Sequence, residues 1–367
     1  MSWIRRSLVP CVLSILAVAA ARPASAQGLS GRVALEGIAS MSARASAVDD
    51  PMIILDLVGT VRLADGWDLV VRPWSMRRPG GDWMFEMYQL QLRYVSSTRL
   101  PFRVDAGIMP SPIGLFTLEL QPHRNPLISA PSYYFAPLPA VNGRFQNVRL
   151  ISGGYPLGAM VSLSGTRWDA RAGVTDRSPV QPANVLSASR PPADPQMVLG
   201  GGITPVTGMR LGVGLTKGRY RPRTPATSAG VDPPTATVLN IEGEYAVGHT
   251  RVSGEWVRDQ FAPSDSSGLA SAGRPSASTV ARGFNVQAAQ TLTPRIFAAV
   301  RATRVSSPVA TIPAEVRRSS TAYEATLGYR LTTEFTIRGG YQRERSYQET
   351  RWRNAAVMSL VWAERWW

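Results

Sequence analysis

The sequence predicts an all-β protein, a transmembrane antiparallel β-barrel of about 16 strands. Segments in which apolar and polar residues alternate recur throughout the chain after residue 27, and this is the side-chain period of a β-strand. The polar positions of these segments carry arginines and acids, which the core of a soluble β-sandwich, the alternative fold, does not tolerate unpaired. A membrane barrel suits both faces, because the apolar face meets lipid and the polar face lines the lumen.

Residues 1–26 are predicted to be a secretory signal peptide. Arg5 and Arg6 form the positive start, a mainly apolar core follows, and an Ala-Ser-Ala sequence precedes the predicted mature start at Gln27. A membrane anchor is the alternative, but a spanning helix requires about 20 apolar residues. Cleavage removes three arginines and no acid, so the formal charge of +15 falls by three to +12. The single cysteine of the chain, Cys11, lies in the peptide, which excludes a disulfide framework in residues 27–367.

The alternation is clear in residues 322–330. Tyr323, Leu327 and Tyr329 fall on one face, opposite Glu324 and Arg330 on the other. Aromatic residues near both ends of such a strand are typical of a membrane barrel, since about ten residues at ~3.3 Å each, tilted by ~40°, rise about 25 Å. The chain also ends in an apolar-aromatic strand and the sequence Arg-Trp-Trp, which resembles the assembly signal of outer-membrane proteins.

Sixteen strands are predicted, and short and long connections alternate between them as in outer-membrane barrels. Both termini then lie in the periplasm. Segment 158–175 has two interpretations, one tall strand with a bulge near Gly165 or a separate hairpin. One strand is preferred, because a hairpin after a strand at 146–155 would place the long connection 176–196 among the short turns. The predicted strands are 29–40, 52–64, 67–75, 84–95, 102–109, 146–155, 158–175, 197–204, 208–220, 237–247, 249–260, 279–290, 295–306, 319–330, 335–345 and 351–362.

The third long connection, residues 110–145, is apolar, aromatic and rich in proline, unlike an ordinary surface loop. We expect it to fold toward the lumen and pack against the barrel wall as a constriction loop. Sixteen strands with a long third loop resemble the bacterial outer-membrane porins, whose third loop narrows the pore. Residues 106–115 also resemble the G-K-x-x-x-P-x-G segment of the phosphate-selective porin O and P family, although Ile108 stands where that family has lysine. Phosphate specificity is therefore not carried over, and a homotrimer is implied by the porin resemblance alone.

The resemblance to porins implies passive diffusion of small hydrophilic solutes through a pore whose diameter and charged rings set selectivity. The charge of +12 and the arginines on the predicted lumen face indicate a preference for anions. The basic side chains are almost all arginine, with Lys217 the single lysine. From the constriction loop we name Glu119, His123 and Arg124. The wall residues predicted to line the pore are Gln89, Gln91, Arg93, Arg103, Asp105, Arg171, Arg210, Glu242, Glu244, Arg301, Glu324 and Arg338, with Asp169, Arg330 and Arg353 as further candidates.

Other functions have weaker support in the sequence. The two histidines, His123 and His249, are too few for a histidine-based metal centre, and neither a cofactor nor a catalytic residue is predicted. The scattered arginines form no run that would indicate nucleic-acid binding. The expected partners are outer-membrane lipid and lipopolysaccharide, small polar solutes and the barrel-assembly machinery. An outer-membrane barrel enzyme, or a closed barrel serving adhesion or assembly, remains the alternative.

Overall fold

The computed structural model describes residues 33–45, 50–96, 101–134, 138, 148–152, 154–181, 195–220, 235–262, 278–307, 319–347, 349 and 351–366, with the backbone alone at residues 118 and 119. The fold is one closed antiparallel barrel of sixteen strands, in which each strand pairs with its sequence neighbours and the first pairs with the last. The strands are β1 (Val33–Arg44), β2 (Met52–Ala64), β3 (Trp67–Arg77), β4 (Trp83–Val95), β5 (Phe102–Ile108), β6 (Leu157–Ser164), β7 (Trp168–Thr175), β8 (Gln196–Ile203), β9 (Met209–Arg219), β10 (Thr235–Val247), β11 (Thr250–Phe261), β12 (Thr279–Thr291), β13 (Ile296–Ser306), β14 (Ser319–Arg330), β15 (Phe335–Arg345) and β16 (Arg353–Trp366).

The barrel is apolar outside and polar inside, because successive side chains of a strand point to opposite faces. On β14, Tyr323, Leu327 and Tyr329 are exposed on the outer surface, whereas Glu324 and Thr326 are buried on the inner one. This distribution of apolar and polar side chains is the reverse of that in a soluble protein, and it is the one expected of a barrel in lipid. The predicted fold class is confirmed.

Aromatic rings mark both ends of the barrel. At the end with the short turns, the turn end, the ring of Tyr94 lies 4.9 Å from that of Trp67 and 5.7 Å from that of Phe102. At the opposite end, the loop end, the rings of Tyr323 and Trp352 are 5.9 Å apart. Such girdles are expected where amphipathic rings meet the two membrane interfaces.

Two predictions about the third loop region are wrong, and their errors cancel in the strand count. The described part of 146–155 is not a strand, and 158–175 is the hairpin of β6 and β7, which turns at residues 165–167. The hairpin conflicts with the alternation of short and long connections only if 146–155 is a strand, and without that strand the conflict disappears. The third long connection therefore runs from 109 to 156 rather than from 110 to 145, and 176–195 stays at the loop end.

The wall is uneven in height. Strands β5–β8 have seven or eight residues each, whereas the other twelve have 11 to 14. The four short strands are neighbours in the barrel, so one continuous quarter of the wall is lower than the rest.

Helical structure in the described residues is confined to short 3-10 turns, of which Leu115–Leu120 and Ser132–Tyr134 lie in the third long connection. Within the same residues, no helix has the length and apolar character needed to cross a bilayer.

Candidate functional site

The third long connection, residues 109–156, packs inside the barrel. Its apolar side chains meet inward-facing residues from the loop ends of β8 and β10–β13 and three residues from other loop-end connections, and together they form a water-excluding cluster. Burial of apolar area favours this position by about 25 cal/mol per Å². The described part of the connection therefore packs against the inner wall through its apolar side chains. The cluster consists of Ile113, Phe116, Tyr133, Tyr134, Leu138, Val148, Leu150, Ile151, Val180, Val198, Tyr220, Ala236, Val238, Val257, Phe261, Ala281, Val305 and Tyr347.

Glu255 of β11 fixes the middle of this connection. Its carboxylate accepts hydrogen bonds from the hydroxyls of Tyr133 and Tyr134 and, at 3.3 Å, from the main-chain N–H of Leu115. The Asn240 amide of β10 also donates to it. A buried carboxylate requires several donors, and the loop supplies three of the four.

Arg301 of β13 and Glu324 of β14 hold the next part of the loop. The two side chains form an ion pair of 2.8 Å and are 4% exposed. Glu324 also accepts from the main-chain N–H groups of Ile128 and Ser129, at 2.8 and 3.1 Å. Arg301 donates to the Ser129 hydroxyl oxygen at 2.8 Å. Both predicted wall residues thus point inward, where they bind the loop.

Arg338 of β15 binds the loop through its main chain. Its Nη1 donates to the carbonyl oxygens of Pro122, Asn125 and Leu127, at 3.1, 2.6 and 2.8 Å, and its Nε donates to the Ser359 hydroxyl at 2.9 Å. A guanidinium in this position satisfies carbonyl groups that the irregular loop leaves unpaired.

The far end of the connection is attached to the other side of the barrel. The Tyr155 hydroxyl accepts a 2.7 Å bond from Nη1 of Arg72 on β3, and Arg72 forms a buried 2.5 Å ion pair with Asp56 on β2. The Tyr155 ring also stacks on Tyr88 of β4, which stacks on Trp74. In a ring of sixteen strands, β3 and β11 are eight strands apart and so lie on opposite walls. The connection therefore crosses the lumen.

Below this crossing lies a cavity of about 880 Å³ at the turn end, with residues 122–126 as its roof. His123 belongs to the roof, and its Nε2 accepts from Arg124 at 3.3 Å and lies 3.6 Å from Glu36 of β1. Burial, reinforced by Arg124 and Arg72, lowers the pKa of His123 to about 4, so these effects outweigh the nearby carboxylate. His123 is therefore neutral at pH 7.

A second set of predicted residues lies on the turn-end half of the wall, where the side chains bind one another. Asp105 of β5 is buried and accepts from Arg93 of β4 at 2.9 Å, from Arg103 at 2.7 Å and from the Gln91 amide at 2.9 Å. The Gln89 amide in turn donates to Gln91 at 3.4 Å. One carboxylate therefore holds two guanidinium groups side by side.

Arg210 of β9 bridges two acids. It forms two 3.1 Å bonds to Asp169 of β7 and one of 2.5 Å to Glu242 of β10. Arg171 of β7 approaches the same Glu242 at 3.8 Å. Glycines make this possible, since a Cβ at Gly202 would lie 2.8 Å from Nη2 of Arg210. The arginine therefore lies flat against the wall.

The remaining candidates have other positions. Glu244 pairs with Arg251 near the turn end of β10 and β11. Arg330 stacks over Phe297 at the turn end, and Arg353 pairs with Glu349 at the loop end. The side chain of Glu119 lies outside the described residues. No group of His, Cys, Asp and Glu suited to hold a metal ion occurs among the residues described.

Sequence reasoning missed the attachment residues Asp56, Arg72, Tyr155 and Glu255. A signal for the first two was present, because each is a lone charge in an otherwise apolar stretch of two consecutive strands. Tyr155 had no such signal, since the segment before it was read as a strand.

Comparison with known proteins supports the architecture. No protein-family model and no curated protein match the sequence. The structure is similar to an anion-selective porin from Comamonas acidovorans, with a TM-score of 0.54 and 12% identity over 91% of this chain and 99% of that one. It is also similar to OmpF of Salmonella typhi in complex with daunomycin, with a TM-score of 0.56 and 8% identity over 91% and 97% of the two chains. For OprB of Pseudomonas putida the TM-score is 0.56 and the sequence identity is 9%, over 94% of this chain and 96% of that one. This likeness shows a 16-stranded, porin-like fold.

Proposed function

We propose that this protein is an outer-membrane channel through which small hydrophilic solutes, preferentially anions, diffuse passively. The observation that supports this most is the combination of a lipid-compatible outer face with a lumen that an inward-folded loop crosses. Selectivity in such a channel depends on the width that the loop leaves and on the charges beside it. The fold alone does not carry this function, since one fold hosts many functions.

Location and assembly belong to the same proposal. The signal peptide 1–26 directs export, the barrel-assembly machinery inserts the chain, and lipid and lipopolysaccharide surround it. A homotrimer is part of the proposal because porin-like barrels are often trimeric. We propose no enzymatic reaction, because the inward-facing acids that we have described are engaged in ion pairs or in loop attachment.

Single-channel recording in planar bilayers tests the channel. The informative variant replaces 116–138 by a short Gly/Ser link, which removes Tyr133, Tyr134 and the segment bound by Arg338. We expect discrete conductance from the refolded wild type and a larger value from the variant. As a matched control, the Ser/Ala/Gly-rich segment 263–277 is shortened, and we expect it to leave the conductance unchanged. Equal conductance of the wild type and the 116–138 variant would contradict the constriction.

One observation favours a second candidate, a closed barrel that serves adhesion or assembly. The loop is bound to opposite walls, by Tyr155 at β3 and by Tyr133 and Tyr134 at β11. A properly folded wild type that never conducts, together with a conducting 116–138 variant, would support this candidate over the open channel.

A further inference from the structure

The lipid-facing surface of β11–β15 carries arginines but no acidic residue. Side chains alternate along a strand, so exposed residues such as Val300 and Leu327 identify the outward positions. Every aspartate and glutamate of these five strands falls on an inward position, as with the buried Glu255 and Glu324. The outward positions hold the five arginines that we call the arginine face, Arg258, Arg282, Arg304, Arg343 and Arg345.

All members of the arginine face lie in the loop-end halves of their strands. The outward positions of the turn-end halves are uncharged on all five strands, with residues such as Val252, Val286 and Ile337. In an outer-membrane barrel the short turns face the periplasm, so the loop end meets the outer leaflet. This part of the wall is therefore uncharged over most of its height and cationic at the edge of the outer leaflet.

The strand register places three of these arginines side by side. Arg258 of β11 pairs directly with Arg282 of β12. Arg282 pairs on its other side with Ser306 of β13, so Arg304, two residues before that serine, is its diagonal neighbour. Like charges directly opposite each other, with Cβ atoms about 4.5–5.5 Å apart, destabilise a sheet. An anion bound between the guanidinium groups would remove this repulsion.

The other two members, Arg343 and Arg345 of β15, lie at the aromatic girdle. Their guanidinium carbons are 4.7 and 4.6 Å from the ring centre of Trp352, and this ring lies 5.9 Å from that of Tyr323. Aromatic girdles mark the level of the lipid headgroups. The arginine face therefore reaches the depth at which charged headgroups lie.

Strand length favours lipid as the partner of this wall. Strands β11–β15 have 11 to 13 residues each and span an apolar band of about 25 Å, unlike the short strands β5–β8. Toward the turn end the wall exposes apolar side chains, among them Val286 and Leu327, which suit acyl chains. At the loop end the guanidinium forks match phosphate oxygens, and clustered arginines at a membrane surface attract anionic lipid.

We propose that the arginine face binds the phosphate groups of lipopolysaccharide in the outer leaflet. Arg282 and Arg304, as diagonal neighbours that are both exposed, hold one phosphate between them. Arg343 and Arg345 bind at the girdle beside Trp352. This inference rests on the proposed outer-membrane location and names the part of the wall that holds the lipid, and it does not depend on conduction through the lumen.

Microscale thermophoresis of the detergent-solubilised full-length barrel with purified lipopolysaccharide tests the surface. EDTA is present, so that divalent cations do not bridge phosphate to acidic side chains. We expect Arg282→Gln/Arg304→Gln to bind the lipid at least tenfold more weakly than the wild type. Dephosphorylated lipopolysaccharide should bind the wild type at least tenfold more weakly than the intact lipid. Unchanged affinity in the variant, equal affinity for the two lipids, or no binding by the wild type would overturn the surface.

A matched control separates the arginine face from general charge. Arg44→Gln/Arg353→Gln also removes two loop-end arginines, but their register partners, the buried Val357 and the inward-facing Glu344, place them on the inner face. We expect this variant to bind lipopolysaccharide as the wild type does. If it loses affinity as strongly as Arg282→Gln/Arg304→Gln, the effect is one of net charge and the surface is wrong.

Two further measurements separate this proposal from its alternatives. A second copy of the chain is the other occupant to test, by the oligomeric state in detergent free of lipopolysaccharide. If Arg282→Gln/Arg304→Gln changes that state and leaves the affinity for lipopolysaccharide unchanged, the face is a protein interface and the proposal is wrong. Bilayer conductance is recorded on the same proteins. A wild type that binds lipopolysaccharide as expected but never conducts supports the surface and contradicts the channel.

Discussion

Arg338 of β15 donates a 2.6 Å hydrogen bond to the main-chain oxygen of Asn125, a residue 213 positions earlier in the chain. The same nitrogen reaches two further carbonyls of the loop, so one wall side chain organises a whole irregular segment. Because the bonds go to the main chain, they fix the path of the loop whatever side chains it carries. The position of the loop thus depends on the wall as much as on the loop itself.

Replacing Arg338 by glutamine should release the roof of the turn-end cavity. Hydrogen bonds to a charged group contribute about 1.5–3 kcal/mol each, and we expect a loss of about 3 kcal/mol in the free energy of unfolding. Single-channel conductance should rise, because the segment around Asn125 is no longer held. Urea unfolding and bilayer recording measure the two effects. Arg353→Gln, which removes an exposed ion pair, is the control and should leave the urea midpoint nearly unchanged.

Tyr155→Phe should weaken the opposite attachment of the loop. The ring and its stacking on Tyr88 are retained, but Nη1 of Arg72 loses its 2.7 Å acceptor inside the barrel. We expect a loss of about 2 kcal/mol in unfolding free energy. Tyr323→Phe changes a tyrosine on the lipid-facing surface and is a matched control. If both variants unfold at the same urea concentration as the wild type, the attachment contributes nothing.

Stability should depend on His123 below neutral pH. Its pKa is about 4 in the folded chain and 6.5 in the unfolded one, so between these values the unfolded chain binds a proton that the folded chain does not. Stability from this group is present above pH 6.5 and is lost as pH falls toward 4, by at most about 3 kcal/mol. The free energy of unfolding of the wild type should therefore fall more than that of His123→Gln between pH 7 and pH 4.5. If urea unfolding gives the same difference between the wild type and His123→Gln at pH 7 and at pH 4.5, the lowered pKa of His123 is wrong.

Deletion of Trp367 should impair insertion of the barrel. The motivation is the terminal aromatic after an alternating strand, and β16 indeed extends to Trp366, which pairs with Leu35 of β1. The loss is measured as the fraction of heat-modifiable, membrane-inserted protein. A chain that ends in Phe at position 367 should insert normally, whereas full insertion of the deleted chain would show that the signal lies elsewhere.

The mature protein should begin at Gln27. Intact-mass measurement of membrane-extracted protein checks this directly. Ala24→Leu/Ala26→Leu should block cleavage, because signal peptidase requires small residues there. A wild-type mass that still contains residues 1–26 would contradict the export argument.

The fold was predictable because alternation and strand length are local properties of the sequence. Outside the third loop region most strand bounds agree within two to four residues, as with β10, predicted at 237–247 and observed at Thr235–Val247. The hairpin of β6 and β7 was less accessible. Its turn at Gly165 is short, and the apolar segment before Tyr155 imitates a buried strand although it packs as an irregular part of the apolar cluster.

The predicted lumen residues fall into two groups, those buried against the loop and those open to water, and alternation along a strand does not distinguish them. Parity placed Arg93, Arg301 and Arg338 on the same inner face, where Arg301 and Arg338 are buried against the loop and Arg93 remains partly open to water. That difference depends on where the loop lies. It is a long-range property that no single strand encodes.

The low quarter of the barrel has a consequence for the membrane around it. Strands of seven or eight residues, tilted by ~40°, rise only about 18–20 Å, whereas strands of 11 to 14 rise at least about 28 Å. The apolar band of an outer-membrane barrel is about 25 Å tall, which the long strands span and β5–β8 do not, so there is a hydrophobic mismatch confined to one side. Lipid beside those strands must thin, or another protein surface must replace it. The bilayer is therefore not uniform around this molecule. A change in bilayer thickness changes the mismatch mainly at β5–β8, the shortest side of the barrel.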